Sequence, residues 1–153
     1  MKIIKTKGLG LIELMVVFIL GSLAIFASSS ILIESYKEWK RSNENASLQA
    51  DFDLACHMIK SIIEEADKLE VNEDGTSITA SYQPYWVQQF YPDPQNSSIL
   101  LWKNLKTNEV QKIITTLKAI TFNVQDDLVV VNIEVGKGTR LIAGSFSVYK
   151  RNS

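Results

Sequence analysis

The chain has few of the residue types from which catalytic and metal-binding sites are built. Among its 153 residues Cys56 is the single cysteine and His57 the single histidine, so neither an internal disulfide nor a cysteine metal site can form. The sequence also lacks a glycine-rich phosphate-binding loop. These absences exclude most catalytic constellations. We therefore predict a protein that is not an enzyme and that uses no metal or cofactor.

Charge and proline are both absent from a long stretch near the N-terminus. Between Leu14 and Ile33 there is no charged residue and no proline. A helix needs about 20 apolar residues to cross a bilayer, so this run is long enough. Three lysines precede it in the first seven residues, and one acid, Glu13, lies just before it. A carboxylate in a membrane segment is costly, so Glu13 requires a partner.

Two interpretations of this segment leave Glu13 unexplained. A cleaved secretory signal peptide accounts for the lysines and for small residues near Ala24 and Ala27, but its apolar region would contain a charge and would continue to Ile33. An uncleaved signal anchor accounts for the length and keeps the lysines cytoplasmic. The second interpretation corresponds to a single-pass, membrane-anchored extracytoplasmic binding domain that enters no filament.

The third interpretation rests on the motif Gly8-Leu9-Gly10-Leu11-Ile12-Glu13, which ends the basic leader and opens the apolar run. With this motif the chain resembles the type IV pilin family, which includes the pseudopilins of type II secretion. It is most similar to minor pilins and minor pseudopilins. The resemblance implies cleavage by prepilin peptidase between Gly8 and Leu9 and N-methylation of Leu9. It also implies assembly into a filament through Leu11, Ile12 and Glu13.

The resemblance further implies partners and a location. The expected partners are other pilins or pseudopilins, the prepilin peptidase, an inner-membrane assembly platform and the lipid bilayer. No nucleic acid is expected, because acidic residues outnumber basic ones once the leader lysines are set aside. The protein would be a single-pass protein of the bacterial inner membrane with its C-terminal domain periplasmic, in a pilus or a pseudopilus. The sequence does not distinguish a pilus, type II secretion and DNA uptake.

The chemistry of cleavage gives Glu13 a partner. Removal of residues 1–8 would create a positive amine on Leu9, four residues before Glu13, and residues four apart lie on one face of a helix. A negative side chain is also favoured in the first turn of a helix. In filaments of the family this acid pairs instead with the amine of a neighbouring subunit. Either pairing offsets the cost of placing the acid in a membrane.

The predicted fold is α+β and pilin-like, with a long N-terminal helix packed on a C-terminal antiparallel β-sheet. It divides into a basic leader (1–8), a transmembrane assembly helix (9–35), an amphipathic continuation (36–70) and a β-rich domain (71–153). The continuation carries an apolar stripe at alternating spacings of four and three: Leu48, Phe52, Ala55, Ile59, Ile62, Ala66 and Leu69. A coiled coil is the alternative, but the strands that follow favour packing on a sheet. The helix is expected to end near Leu69.

From Ser77 onward the apolar period becomes two, which predicts strands. The predicted strands are 78–82, 85–91, 98–103, 120–124, 129–135 and a last one containing Ile142, Phe146 and Val148. Four aromatic residues form a candidate interaction surface: Tyr85, Trp86, Phe90 and Tyr91. Packing of these aromatics across neighbouring strands is the other interpretation. Cys56 is expected to be half-buried and His57 exposed.

Overall fold

The computed structural model describes residues 10–150, so the predicted cleavage site at Gly8 and Leu9 lies outside the described residues. In this range the chain forms one helix and eight strands. Their bounds are α1 (Leu11–Glu65), β1 (Lys68–Val71), β2 (Ile78–Tyr82), β3 (Trp86–Asp93), β4 (Asn96–Asn104), β5 (Glu109–Ile114), β6 (Leu117–Gln125), β7 (Leu128–Lys137) and β8 (Arg140–Tyr149). The chain divides into two compact units, the first ending at Asn43 and the second beginning at Glu44.

In the first unit, α1 carries the apolar run. This segment is long and apolar enough to cross a membrane, and none of it is buried within the chain. Ser28 and Ser30 satisfy their hydroxyl groups on the helix itself, because Ser28 Oγ donates to Ala24 O at 2.8 Å and Ser30 Oγ to Phe26 O at 3.0 Å. The helix is continuous through Gly21 and these serines, although each lowers helix propensity.

In the second unit, α1 buries one face. Leu48, Ala55, Ile59 and Ile63 are buried on the helix, at the spacing expected of an apolar stripe packed on a sheet. Phe52 and Ile62 are half-buried and pack against the same core. The predicted packing of this helix face on strands is confirmed, although Ile63, which was not part of the predicted stripe, is buried more fully than Ile62.

The helix ends four residues earlier than predicted, and residues 66–70 are not its continuation. Asp67 N–H donates to Ser81 O at 2.8 Å, and the chain then enters β1, in which Leu69 pairs with Ala80 of β2. Pairing with β2 satisfies these backbone groups outside the helix, so the helix stops at Glu65. Ala66 and Leu69 still contribute apolar contacts, one from the helix end and one from a strand.

The strands form two antiparallel sheets rather than the single predicted sheet. The first has the order β1-β2-β3-β4-β5 and the second the order β6-β7-β8. Both contribute to one core with α1, which includes Phe90 from the first sheet and Val131 and Ile133 from the second. The predicted α+β layout, a long helix packed on antiparallel strands, is confirmed. Strands β1 and β5 were not predicted.

Two polar contacts fix the helix on the end of the second sheet. Arg140 Nη1 at the start of β8 donates to Glu44 Oε2 at 2.5 Å. Thr116 Oγ1, just before β6, donates to Asp51 Oδ2 at 2.6 Å. Both pairs join residues far apart in the sequence and lie partly out of water, where a hydrogen bond to a charged group contributes about 1.5–3 kcal/mol.

A close approach between α1 and β8 requires glycine at position 144. A Cβ atom on Gly144 would lie 2.5 Å from Cζ of Phe52, which is far inside van der Waals contact. Gly144 lies midway along β8 and pairs with Ile133 of the central strand β7. The ring of Phe52 therefore occupies the space that a side chain at this position would need.

We expect Gly144→Ala to lower the free energy of unfolding by about 1–3 kcal/mol, because the methyl group would displace the Phe52 ring. Urea unfolding of the full chain in detergent micelles, followed by circular dichroism, measures this change. Ser145→Ala, at the adjacent exposed position, is the control and should change stability by no more than about 0.5 kcal/mol. If Phe52→Leu does not relieve the effect of Gly144→Ala, the assigned contact is wrong.

Candidate functional site

Glu13 lies in the first turn of α1 and has a partner in its own chain. Gly10 N–H donates to Glu13 Oε2 at 2.9 Å, and Leu14 N–H donates to Gly10 O at 3.1 Å. Gly10 is thus the N-cap residue, and Glu13, three residues later, reaches back to it as the acid of a capping box does. The carboxylate also lies at the positive end of the helix dipole. Glu13 therefore stabilises the point at which the helix begins.

The other two predicted assembly residues, Leu11 and Ile12, are 80% and 78% exposed beside this cap. The exposed apolar surface continues along the helix to Ile33. Tyr36 and Trp39 follow, with ring centroids 6.0 Å apart and both rings exposed, as an interfacial aromatic belt would place them. Chemically, this surface can contact lipid or other apolar helices.

The predicted aromatic surface does not form as one surface. Phe90 is fully buried in the core, so its assignment to an interaction surface is wrong. Residues alternate between the two faces of a strand, so Tyr91 and Phe90 point to opposite sides of β3. Phe90 was misplaced because the sequence does not show which face of β3 turns toward the core.

Three aromatic residues do gather at the hairpin between β2 and β3. Tyr82 pairs with Trp86 across the strands, with ring centroids 6.2 Å apart, and stacks on Tyr85 at 5.2 Å. Tyr85 is 69% exposed. Lys106 Nζ donates to Pro84 O and joins the loop after β4 to this hairpin. The cross-strand interpretation thus describes Tyr82 and Trp86, whereas Tyr85 alone of the four candidates is largely exposed.

A groove that the sequence did not predict lies between α1 and β8. It has a volume of about 520 Å³ and is lined by α1 residues from Gln49 to Lys60 and by β8 residues from Ile142 to Ser147. Its residues come from two distant segments, so no sequence pattern could have revealed it. Cys56 and His57 both line the groove, Cys56 half-buried and His57 exposed as predicted. Among residues 10–150, no cluster of His, Cys, Asp and Glu is able to hold a metal ion.

The thiol of Cys56 is a poor nucleophile at neutral pH. Burial, and secondly the negative charge of Asp53, raise the pKa of Cys56 from 9.0 to about 11. The thiolate is the reactive form of cysteine, so the groove holds the thiol in its unreactive form. The geometry thus gives Cys56 a packing role in the groove wall.

We expect alkylation of Cys56 by iodoacetamide at pH 8 to be roughly tenfold slower than alkylation of an exposed cysteine. The rise of the Cys56 pKa from 9.0 to about 11 lowers the thiolate fraction about 100-fold, and the higher intrinsic nucleophilicity of this thiolate recovers part of the rate. The rate should rise with pH until about pH 11, the pKa of the thiol in the folded chain. Mass spectrometry of the intact chain follows the reaction.

The control is Ser47→Cys in a Cys56→Ala background, because Ser47 is exposed on the same helix. Asp53→Asn removes the negative charge and should shift the rate profile of Cys56 to lower pH. Equal rates for Cys56 and the cysteine at position 47 would contradict the assigned environment.

Comparison with known proteins adds no further assignment: no family model, no curated protein and no solved structure matches this chain.

Proposed function

We propose that the protein is a non-enzymatic structural subunit, a minor pilin or pseudopilin of a type IV pilus-like or type II secretion filament. In this proposal prepilin peptidase cleaves the chain after Gly8 and the subunit assembles through its N-terminal helix. The observation that carries the proposal is the placement of Glu13. It caps an exposed apolar helix directly after the motif Gly8-Leu9-Gly10-Leu11-Ile12.

The cap supports a link between processing and the acid. Glu13 accepts a hydrogen bond from Gly10 N–H, and the nitrogen of Leu9 is three covalent bonds from the nitrogen of Gly10. Before cleavage the Leu9 nitrogen belongs to a neutral peptide group. After cleavage it is a positive amine, so the carboxylate gains an attractive charge in the same turn or on a neighbouring subunit. Such a pairing offsets the cost of an acid in the membrane.

The exposed helix surface supports assembly. The apolar side chains from Leu11 to Ile33 have no cover within the chain, and a surface of this extent requires lipid or other apolar helices around it. In the proposal it contacts lipid before assembly and neighbouring subunits in the filament. The basic leader stays cytoplasmic by the positive-inside rule, which places the second unit outside the cytoplasm.

N-terminal mass spectrometry of the chain extracted from bacterial membranes tests the processing step. We expect a chain that begins at N-methyl-Leu9, because the motif directs cleavage between Gly8 and Leu9. A Gly8→Leu variant is the control and should retain Met1. An unprocessed wild-type chain, or one beginning near Ile25 or Ser28, would remove the pilin assignment. An unprocessed chain would support a signal anchor, and a chain beginning near Ile25 or Ser28 would support a secretory signal peptide.

Two variants of Glu13 and one control variant separate the charge of this residue from its capping role. Glu13→Val removes both, whereas Glu13→Gln keeps an acceptor for Gly10 N–H and removes only the negative charge. We expect both variants to be cleaved and both to be depleted at least about tenfold from the filament fraction, which corresponds to a loss of about 1.4 kcal/mol. Glu34→Gln, a change of charge beyond the apolar run, should assemble normally.

Quantitative immunoblotting of the filament and membrane fractions measures incorporation. If Glu13→Gln assembles as well as wild type while Glu13→Val does not, the acid acts through the cap alone. Normal assembly of both variants would show that Glu13 has no role in incorporation.

A further inference from the structure

Three of the four sheet edges in the described range are protected against pairing with another chain. A free edge offers unpaired backbone N–H and C=O groups, and charged residues, short strands or covering segments block it. Strand β1 has four residues and carries the ion pair Lys68–Glu70 at 2.6 Å. Strand β5 carries Glu109 and Lys112. Strand β6 is covered, because Phe122 N–H donates to Gly75 O at 2.7 Å and the strand contacts β1 and β4.

The fourth edge, β8, has none of these devices. It is ten residues long and, within residues 10–150, pairs with β7 alone. From Leu141 to Tyr149 it contains no charged residue and no proline, and these two end residues are 55% and 71% exposed. The flanking cations are neutralised, Arg140 by Glu44 and Lys150 by Asp127 at 3.3 Å. No charge therefore repels a strand that approaches this edge.

The groove described above runs beside this edge. Phe52, Ile142 and Phe146 all pack against the buried core and line the groove, so its wall is apolar where α1 and β8 meet. The ionisable residues that line it are Cys56, His57 and Lys60, and no carboxylate is among the lining residues that the structure describes. Within residues 10–150 Lys60 forms an ion pair only with exposed Glu64, at 3.8 Å, and such an exposed pair contributes little in water. The groove thus combines an apolar wall with a positively charged group, the Lys60 ammonium, that is exposed to a binding partner.

We propose that the free edge of β8 docks an extended segment of a partner polypeptide, which adds to the second sheet as a fourth strand. The added strand would place apolar side chains against Phe52 and Phe146 and an acidic side chain against Lys60. The backbone groups of β8 would form the hydrogen bonds to the added strand, and the groove would select which side chains that strand carries. This inference does not depend on filament membership, because the edge is available whether or not the helix assembles.

A second copy of β8 fits the groove less well than an acidic partner. The segment Leu141–Tyr149 has no carboxylate to offer to Lys60. The other edge strands that the structure describes, β1, β5 and β6, are short, charged or covered. The groove segment Ile142–Ser147 is about 20 Å long, at about 3.3 Å per residue, which matches an added strand of ordinary length.

Synthetic peptides and the full chain in detergent micelles test the proposal. The probe is the nonapeptide acetyl-TVTVTETVT-amide, which presents three valines and the glutamate on one face of a strand. Acetyl-TVTVTKTVT-amide is the matched control. Binding should protect alternate amides of β8 from hydrogen exchange and should slow alkylation of Cys56, the single thiol of the chain, which lines the groove.

We expect the glutamate peptide to bind about tenfold more tightly than the lysine peptide, and Lys60→Glu to reverse this order. We also compare a peptide N-methylated at its odd-numbered residues with one N-methylated at its even-numbered residues. We expect one of the two patterns to abolish binding and the other to leave binding unchanged. An edge strand donates only alternate N–H groups to its neighbour.

Four results would overturn the proposal. Absence of protection at β8 with millimolar glutamate peptide would remove the docking site. Equal affinity for the two peptides would show that the groove does not select an acidic partner. Equal effects of both N-methylation patterns would show that the peptide does not add to the sheet as a strand. A concentration-dependent dimer that protects β8 without any peptide would assign the edge to a second copy of this chain.

Discussion

The packing of one helix face on two sheets is the interaction on which the second unit depends. Ala55, Ile59 and Ile63 bring α1 into a single core with strands from both sheets. Each fully buried leucine or isoleucine side chain contributes about 1.5–3 kcal/mol, so Leu48, Ile59 and Ile63 carry much of the marginal stability expected of a domain. Glu44 and Asp51 add fixed polar contacts to the second sheet, which set the position of the helix along it.

The same helix meets two environments in succession, and its sequence changes accordingly. From Leu14 to Ile33 its surface carries no charge on any side, and after Glu44 it is apolar on one face alone. The first pattern suits lipid or a bundle of helices, and the second suits a helix lying on a sheet. The apolar segment thus offers a surface for lipid or other apolar helices, whereas the second unit presents the hairpin aromatics and the β8 edge.

Features with a strong period could be predicted from the sequence, and features that depend on tertiary contacts could not. The apolar run is marked by its lack of charge, and the helical stripe and strands β6 to β8 each repeat a clear pattern; all three features are present. Strand β5 was missed because its first four residues are exposed and show no alternation. Phe90 was misplaced because period two identifies the faces of a strand but not the buried one. The cleavage site at Gly8 stays a prediction, and the groove beside β8 needs residues from two distant segments.

The hydrogen bond from Phe122 N–H to Gly75 O has a consequence for cooperativity. Gly75 lies in the connection between β1 and β2 with φ of 68°, a conformation in which glycine is favoured, and its carbonyl oxygen accepts from the second sheet. Together with the shared core, this bond couples the two sheets directly through their backbones. Loss of the first sheet would leave the Phe122 amide without its partner and would uncover the edge of β6. The two sheets are therefore expected to melt in a single transition rather than as independent layers.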